Sequence, residues 1–125
     1  MKNEFSQEDI DFFVQKINNL KPRKTKNPNN EYDSIVDKAK IHFCNKNMIT
    51  VEYGYYHAAI TPMDKKECDE WHMSYDYNFY VHVNHQGTIN RSGNQYIGDI
   101  DSIGFYKTKE QCWRGLQARW HIIIN

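Results

Sequence analysis

Met73-Ser74-Tyr75-Asp76-Tyr77-Asn78-Phe79-Tyr80-Val81-His82-Val83 is the stretch on which the fold turns. Met73, Tyr75, Tyr77, Phe79, Val81 and Val83 fall at every second position, with Ser74, Asp76, Asn78, Tyr80 and His82 between them. Successive side chains of an extended strand point to opposite faces, so this pattern predicts one strand with an apolar face on a core and a polar face turned outward. Asn84-His85-Gln86-Gly87 then supplies hairpin-turn chemistry, Ser92-Gly93-Asn94 a second turn, and Tyr96 to Phe105 a further strand. Upstream, Met48 to Ile60 alternates in the same way through Ile49, Val51, Tyr53 and Tyr55. Three or four antiparallel strands are expected to form a meander.

Helical signals flank these strands. Ser6-Gln7-Glu8-Asp9 reads as a capping box, and Ile10, Phe13, Val14, Ile17 and Leu20 follow at three- and four-residue intervals, the spacing of a buried stripe. Tyr32, Ile35, Val36, Ala39 and Phe43 repeat that spacing and predict a second helix to about Asn45. Thr61-Pro62 marks the start of a short helix reaching about Trp71. Thr108-Lys109-Glu110-Gln111 opens a last one, with Cys112, Leu116 and Trp120 on its inner side and Trp113 on its flank. Residues 21–30, KPRKTKNPNN, have two prolines and no apolar anchor, and read as a basic flexible connector. The expected architecture is one α+β domain over residues 1–125, a meander packed against two N-terminal helices and one C-terminal helix.

Composition narrows the function classes. A chain of 125 residues closes one core without disulfide or metal. Its 16 basic and 16 acidic side chains cancel, so no global field draws it to nucleic acid or an anionic membrane. The first residues lack the apolar stretch of a signal peptide and no run is long enough to span a bilayer, so a cytoplasmic location is expected. Cys44, Cys68 and Cys112 are odd in number and far apart, as suits reduced thiols in or near the core. Lysine outnumbers arginine three to one and asparagine is abundant, a bias associated with AT-rich genomes such as those of phages and mobile elements.

Chemical motifs are sparse. P-loop, G-x-G-x-x-G and G-x-S-x-G signatures are missing. Cys68 and His72 are one helical turn apart with His82 and His85 downstream, but without a C-x-x-C pair the zinc reading yields to ordinary surface histidines. Asp99 and Asp101, with Glu52 as a third acid, would suit a divalent cation, although D-x-D by itself is common. His57, His72 and His82 are candidates for metal-independent RNA cleavage, one imidazole as base and another as acid. No cofactor or metal is expected.

Aromatics make up 14% of this polar chain, and side chains of that size either fill a core or meet a partner. The expectation is therefore a small stoichiometric protein-binding module, an inhibitor, immunity or anti-defence (anti-CRISPR-like) protein of a phage or mobile element. Its contacts would be Tyr56, Trp71, Asp76, Asn78, Tyr80 and His82, which combine aromatic anchors with hydrogen-bonding groups, and Trp113 is a further anchor candidate. The alternative partner is nucleic acid, met by Lys21, Arg23, Lys24, Lys26 and Arg114 together with sheet aromatics.

Overall fold

The structure is a computed structural model that describes residues 4–20, 23–25, 34–36, 39–53, 56–85 and 100–119; side chains are described for all of these except 23–25, 34–36, 56, 84–85 and 100–102. The chain is α+β. Its first helix, α1 (Gln7–Asn18), carries the expected capping box: the Asp9 amide donates to Ser6 Oγ at 3.0 Å and the Ser6 amide donates to Asp9 Oδ2 at 3.2 Å. Two short strands follow, β1 (Arg23–Thr25) and β2 (Ser34–Val36), paired antiparallel as a separate ribbon. Then come β3 (Lys40–Cys44), β4 (Ile49–Tyr53), β5 (Tyr56–Pro62), helix α2 (Lys65–Glu70), β6 (Phe79–His85), β7 (Ile100–Tyr106) and helix α3 (Lys109–Arg119). Strands β3 to β7 form one antiparallel sheet in sequence order.

Several expectations are corrected. Residues 32–45 do not form a helix: Ser34–Val36 and Lys40–Cys44 are strands. The β-branched Ile35, Val36 and Ile41 favour extended chain, and a bulge at His42 inserts one residue between Ile41 and Phe43, which breaks the two-residue period and imitates helical spacing. The connector is also not wholly irregular, because Arg23 to Thr25 pair with β2. The 48–60 run is two strands, and the inward positions switch from odd (Ile49, Val51, Tyr53) to even (Ala58, Ile60), as a hairpin between Tyr53 and Tyr56 requires. Thr61 and Pro62 belong to the end of β5, and Asp64 caps α2 instead, accepting from the Glu67 amide at 3.0 Å.

The strand read from Met73 begins only at Phe79. Its first half turns because Ser74, Asp76 and Asn78 find local partners that compete with a ladder. The Ser74 hydroxyl donates to Asp76 Oδ1, Asn78 Nδ2 donates to Asp76 O at 3.1 Å, and the Tyr77 amide reaches Ser74 O at 3.3 Å. The predicted inner face of the remainder holds: Phe79, Val81 and Val83 are buried.

Helices α1 and α3 lie on that inner face. Phe13 and Ile17 from α1, and Cys112, Trp113 and Leu116 from α3, join Ile49, Val51, Tyr53, Ala58, Ile60, Phe79, Val81 and Val83 in one core. Trp113 is thus core rather than flank. Phe5, Phe13 and Phe79 meet ring to ring, with centroids 5.7 to 6.2 Å apart, where α1 crosses the sheet. Of the cysteines, Cys68 and Cys112 are buried as expected, with burial pushing both thiols up, whereas Cys44 is exposed. No helix of the described residues is long and apolar enough to cross a membrane.

Tyr106 fixes how closely α3 approaches β7. Its hydroxyl accepts from Arg119 Nη1, and Arg119 Nη2 donates to Ile103 O at 3.2 Å. The ring occupies the space above Gly115, where an added Cβ would overlap the Tyr106 hydroxyl and ring carbons. Alanine in a helix interior normally stabilises by up to about 1 kcal/mol over glycine. Here Gly115→Ala is expected to reverse that sign and destabilise by about 1 to 3 kcal/mol, as overpacking does. Urea unfolding checks it, and truncating the ring in Tyr106→Ala should restore the ordinary benefit of the alanine.

Candidate functional site

A sheet with both covering helices on one side presents its alternate residues on the other. The register aligns those residues in rows across the strands. One row runs Phe43, Thr50, Ala59, His82, Ile103 from β3 to β7. The next, toward the β5–α2 end, holds Thr61, Tyr80 and Phe105. On the opposite side of the first row, Lys40, Glu52 and His57 precede the register positions of Asn84 and Asp101.

Large apolar groups sit open on this face. Phe43 is 49% exposed and Ile103 44%, at the two outer strands of the same row. Trp71, the residue that caps the C-terminus of α2, is 47% exposed and lies against Phe105 with centroids 5.3 Å apart. Phe105 in turn meets Tyr80 at 6.2 Å, so three aromatics from α2, β6 and β7 form one patch. Ile103 lies two residues before Phe105 on the same side of β7, while Phe43 lies at the opposite edge of the sheet.

Across the central row, toward the other end of the same face, stands a carboxylate between two imidazoles. His42 Nε2 lies 2.8 Å from Glu52 Oε2, and His57 Nε2 lies 3.9 Å from Glu52 Oε1. The bulge at β3 turns His42 to the same side as Phe43, which brings it over Glu52 on the neighbouring strand. The His42 hydrogen bond, helped by the nearby His57 charge, holds the Glu52 carboxyl below its ordinary value.

The sequence candidates divide between this face and other places. Trp71, Tyr80 and His82 are brought together on it. Asp76 and Asn78 are not, because they lie in the turn before β6: Asp76 accepts from the Ser74 hydroxyl and pairs with Lys107 Nζ at 3.0 Å. The backbone of Tyr56 pairs in β5, and its side chain lies outside the described residues. Lys21 and Lys26 also lie outside them, as do the side chains of Arg23 and Lys24. Arg114 is exposed on α3, in the helical layer and away from the sheet face.

Among the described residues the metal and nuclease constellations do not assemble. Cys68 is buried with its thiol toward Tyr77 O, while His72 is exposed at a positive φ of 56°. Asp101 is three strands from Glu52, roughly 14 Å at the usual interstrand spacing. Asp99 lies outside the described residues. No group of three metal-ligating side chains converges among the described residues. His57 and His82 share the sheet face on adjacent strands, but His72 sits in the turn after α2. Sequence reading missed Phe43, Ile103, Phe105 and the pairing of His42 with Glu52, since each depends on strand register rather than on local spacing.

No protein-family model matches the chain, and no match is found among curated proteins or solved structures. Function rests on the site itself.

The lowered Glu52 value carries a stability consequence with a definite sign. A carboxylate whose proton affinity is depressed on folding stabilises above its ordinary value of 4.5, and loses that contribution as pH falls through the lowered folded value. For a pair this exposed the effect is under about 1 kcal/mol. Carboxyl carbon-13 titration should place Glu52 below an unfolded-state glutamate, and His42→Ala should move it back up. The stability gap between wild type and Glu52→Gln should be full above about pH 5 and vanish in stronger acid.

Proposed function

We propose that the chain is a stoichiometric protein-binding module that docks its partner on the outer face of the β3 to β7 sheet. The observation that carries the reading is the placement of Phe43, Trp71 and Ile103, each close to half exposed, on the face opposite both core helices. Large apolar groups left at the surface on one face mark a contact surface more than a solvated one. Tryptophan and tyrosine supply contact area at low entropic cost, and Trp71 with Tyr80 would form the anchor. The His42, Glu52 and His57 group toward the other end of the same face would set orientation and discriminate among partners. An inhibitor, immunity or anti-defence role in a phage or mobile element suits a small module acting through one such face.

The nucleic-acid reading gains less support. Arg114, the nucleic-acid candidate whose side chain is described, belongs to the opposite layer from Trp71 and Phe105, so it would not meet phosphate on the surface where bases would stack.

Immobilised protein is expected to recover one partner from extract of the source cells at a fixed molar ratio, with recovery unaffected by nuclease. Ile103→Lys and Trp71→Ala should each reduce it at least tenfold, the cost of losing about 1.4 kcal/mol at an interface anchor, while Arg114→Ala leaves it unchanged. Recovery that nuclease abolishes, or that survives both sheet-face changes, would overturn the reading.

A further inference from the structure

Between β5 and β6 the chain leaves the sheet for an arm that carries Trp71. The base of the arm is closed where the Met63 amide donates to Asn78 O at 2.7 Å. Helix α2 of the arm ends in a Schellman motif, in which the Met73 amide donates to Cys68 O at 2.8 Å and the His72 amide to Asp69 O at 3.2 Å. His72 takes the left-handed position of that motif, with φ at 56°, and Trp71 stands just before it, its indole on Phe105. Further bonds tie the arm to itself. Cys68 is buried outside the main core with its thiol toward Tyr77 O, and the Tyr75 hydroxyl donates to Asp69 Oδ1 at 2.6 Å. An arm knit in this way moves as a unit, so the place of Trp71 is decided at its base.

The ties at that base converge on Asn78. Its amide donates to Tyr106 O at 3.0 Å, and its side-chain Nδ2 donates twice, to Asp76 O at 3.1 Å within the arm and to Lys107 O at 2.8 Å at the joint between β7 and α3. One residue therefore joins the end of β5, the turn of the arm and the end of β7, the strand that carries Phe105. An aspartate at this position would keep the shape but lose both amide hydrogens, and its carboxylate would face two carbonyl oxygens. The other link here, Asp76 with Lys107 Nζ at 3.0 Å, joins two exposed side chains, and such pairs hold weakly.

We infer that Asn78 is a positioning residue for the docking face, its side-chain amide fixing the arm so that the Trp71 indole lies on Phe105. The inference rests on the reading of that face as a docking surface. An anchor already held in its bound place spares the partner the entropy of ordering it. Asn78, expected from the sequence as a partner contact, thus acts one step removed from the partner.

The test compares Asn78→Asp with wild type in two readouts. Nuclear Overhauser contacts between the Trp71 indole and the Phe105 ring are recorded on the protein alone, and partner recovery is measured from extract of the source cells. In Asn78→Asp the ring contacts should disappear while the signals of Val81, Val83 and Leu116 stay in place, and recovery should fall at least tenfold, as for Trp71→Ala. Asn78→Ala carries the same comparison if the aspartate variant does not fold. Simple loss of stability would lower the urea midpoint but keep the ring contact in the folded molecule, so a contact that persists overturns the inference. Loss of the contact with undiminished recovery overturns docking through Trp71, and with it the part of Asn78 in docking. If wild type recovers no partner, the docking reading falls, and the ring contact alone decides whether Asn78 positions the arm.

Discussion

Everything in this molecule hangs on a sheet whose two longer helices, α1 and α3, pack on the same side. Because side chains alternate along each strand, placing Ile49, Val51, Tyr53, Ala58, Ile60, Val81 and Val83 under α1 and α3 forces their neighbours to the opposite surface. A slip of one residue in any strand would exchange the two sets, so burial of the core set is also what holds the outer set in register. The order of Phe43, Thr50, Ala59, His82 and Ile103 across five strands is therefore a consequence of core packing rather than of any attraction among those residues.

The parts of the fold that were legible in the sequence are those governed by local chemistry. The Ser6 capping box forms as read, and so does the Thr108 cap, where the Gln111 amide donates to Thr108 Oγ1 at 3.1 Å. Both helices start where a side chain is available for an orphan amide. What misled were patterns whose period was altered by something non-local. The bulge at His42 disguised a strand as a helix, and the polar residues between Met73 and Asn78 kept a strand-like alternation in a segment whose hydrogen bonds go to a turn. Alternation is necessary for a half-buried strand but does not by itself show that a ladder partner exists.

For the site, the same distinction applies. The outer-face position of Tyr80 and His82 follows from the alternation of β6, whose inward residues Phe79, Val81 and Val83 are buried. Phe43 was not legible in that way, because its face depends on the bulge one residue earlier, and Ile103 and Phe105 were not, because their side of β7 follows from pairing with His82 and Tyr80. Trp71 was singled out for its residue type, yet its role comes from the end of α2 placing its indole on Phe105.

The histidines beside Glu52 bear on whether the sheet face is a reaction site or a contact surface. A general base works best with a proton affinity near the working pH, which enzymes obtain by raising a carboxylate, and here the neighbouring imidazoles lower it. All three groups remain in contact with water, so no low-dielectric enclosure magnifies their charges. The same arrangement does suit the border of an interface. Exposed, it contributes little to folding, and when a partner excludes water from one side its charge and hydrogen-bonding directions become selective, because an ill-matched partner leaves them desolvated and unpaired. On the proposed reading, affinity would come from the aromatic patch around Trp71 and discrimination from the carboxylate and its imidazoles.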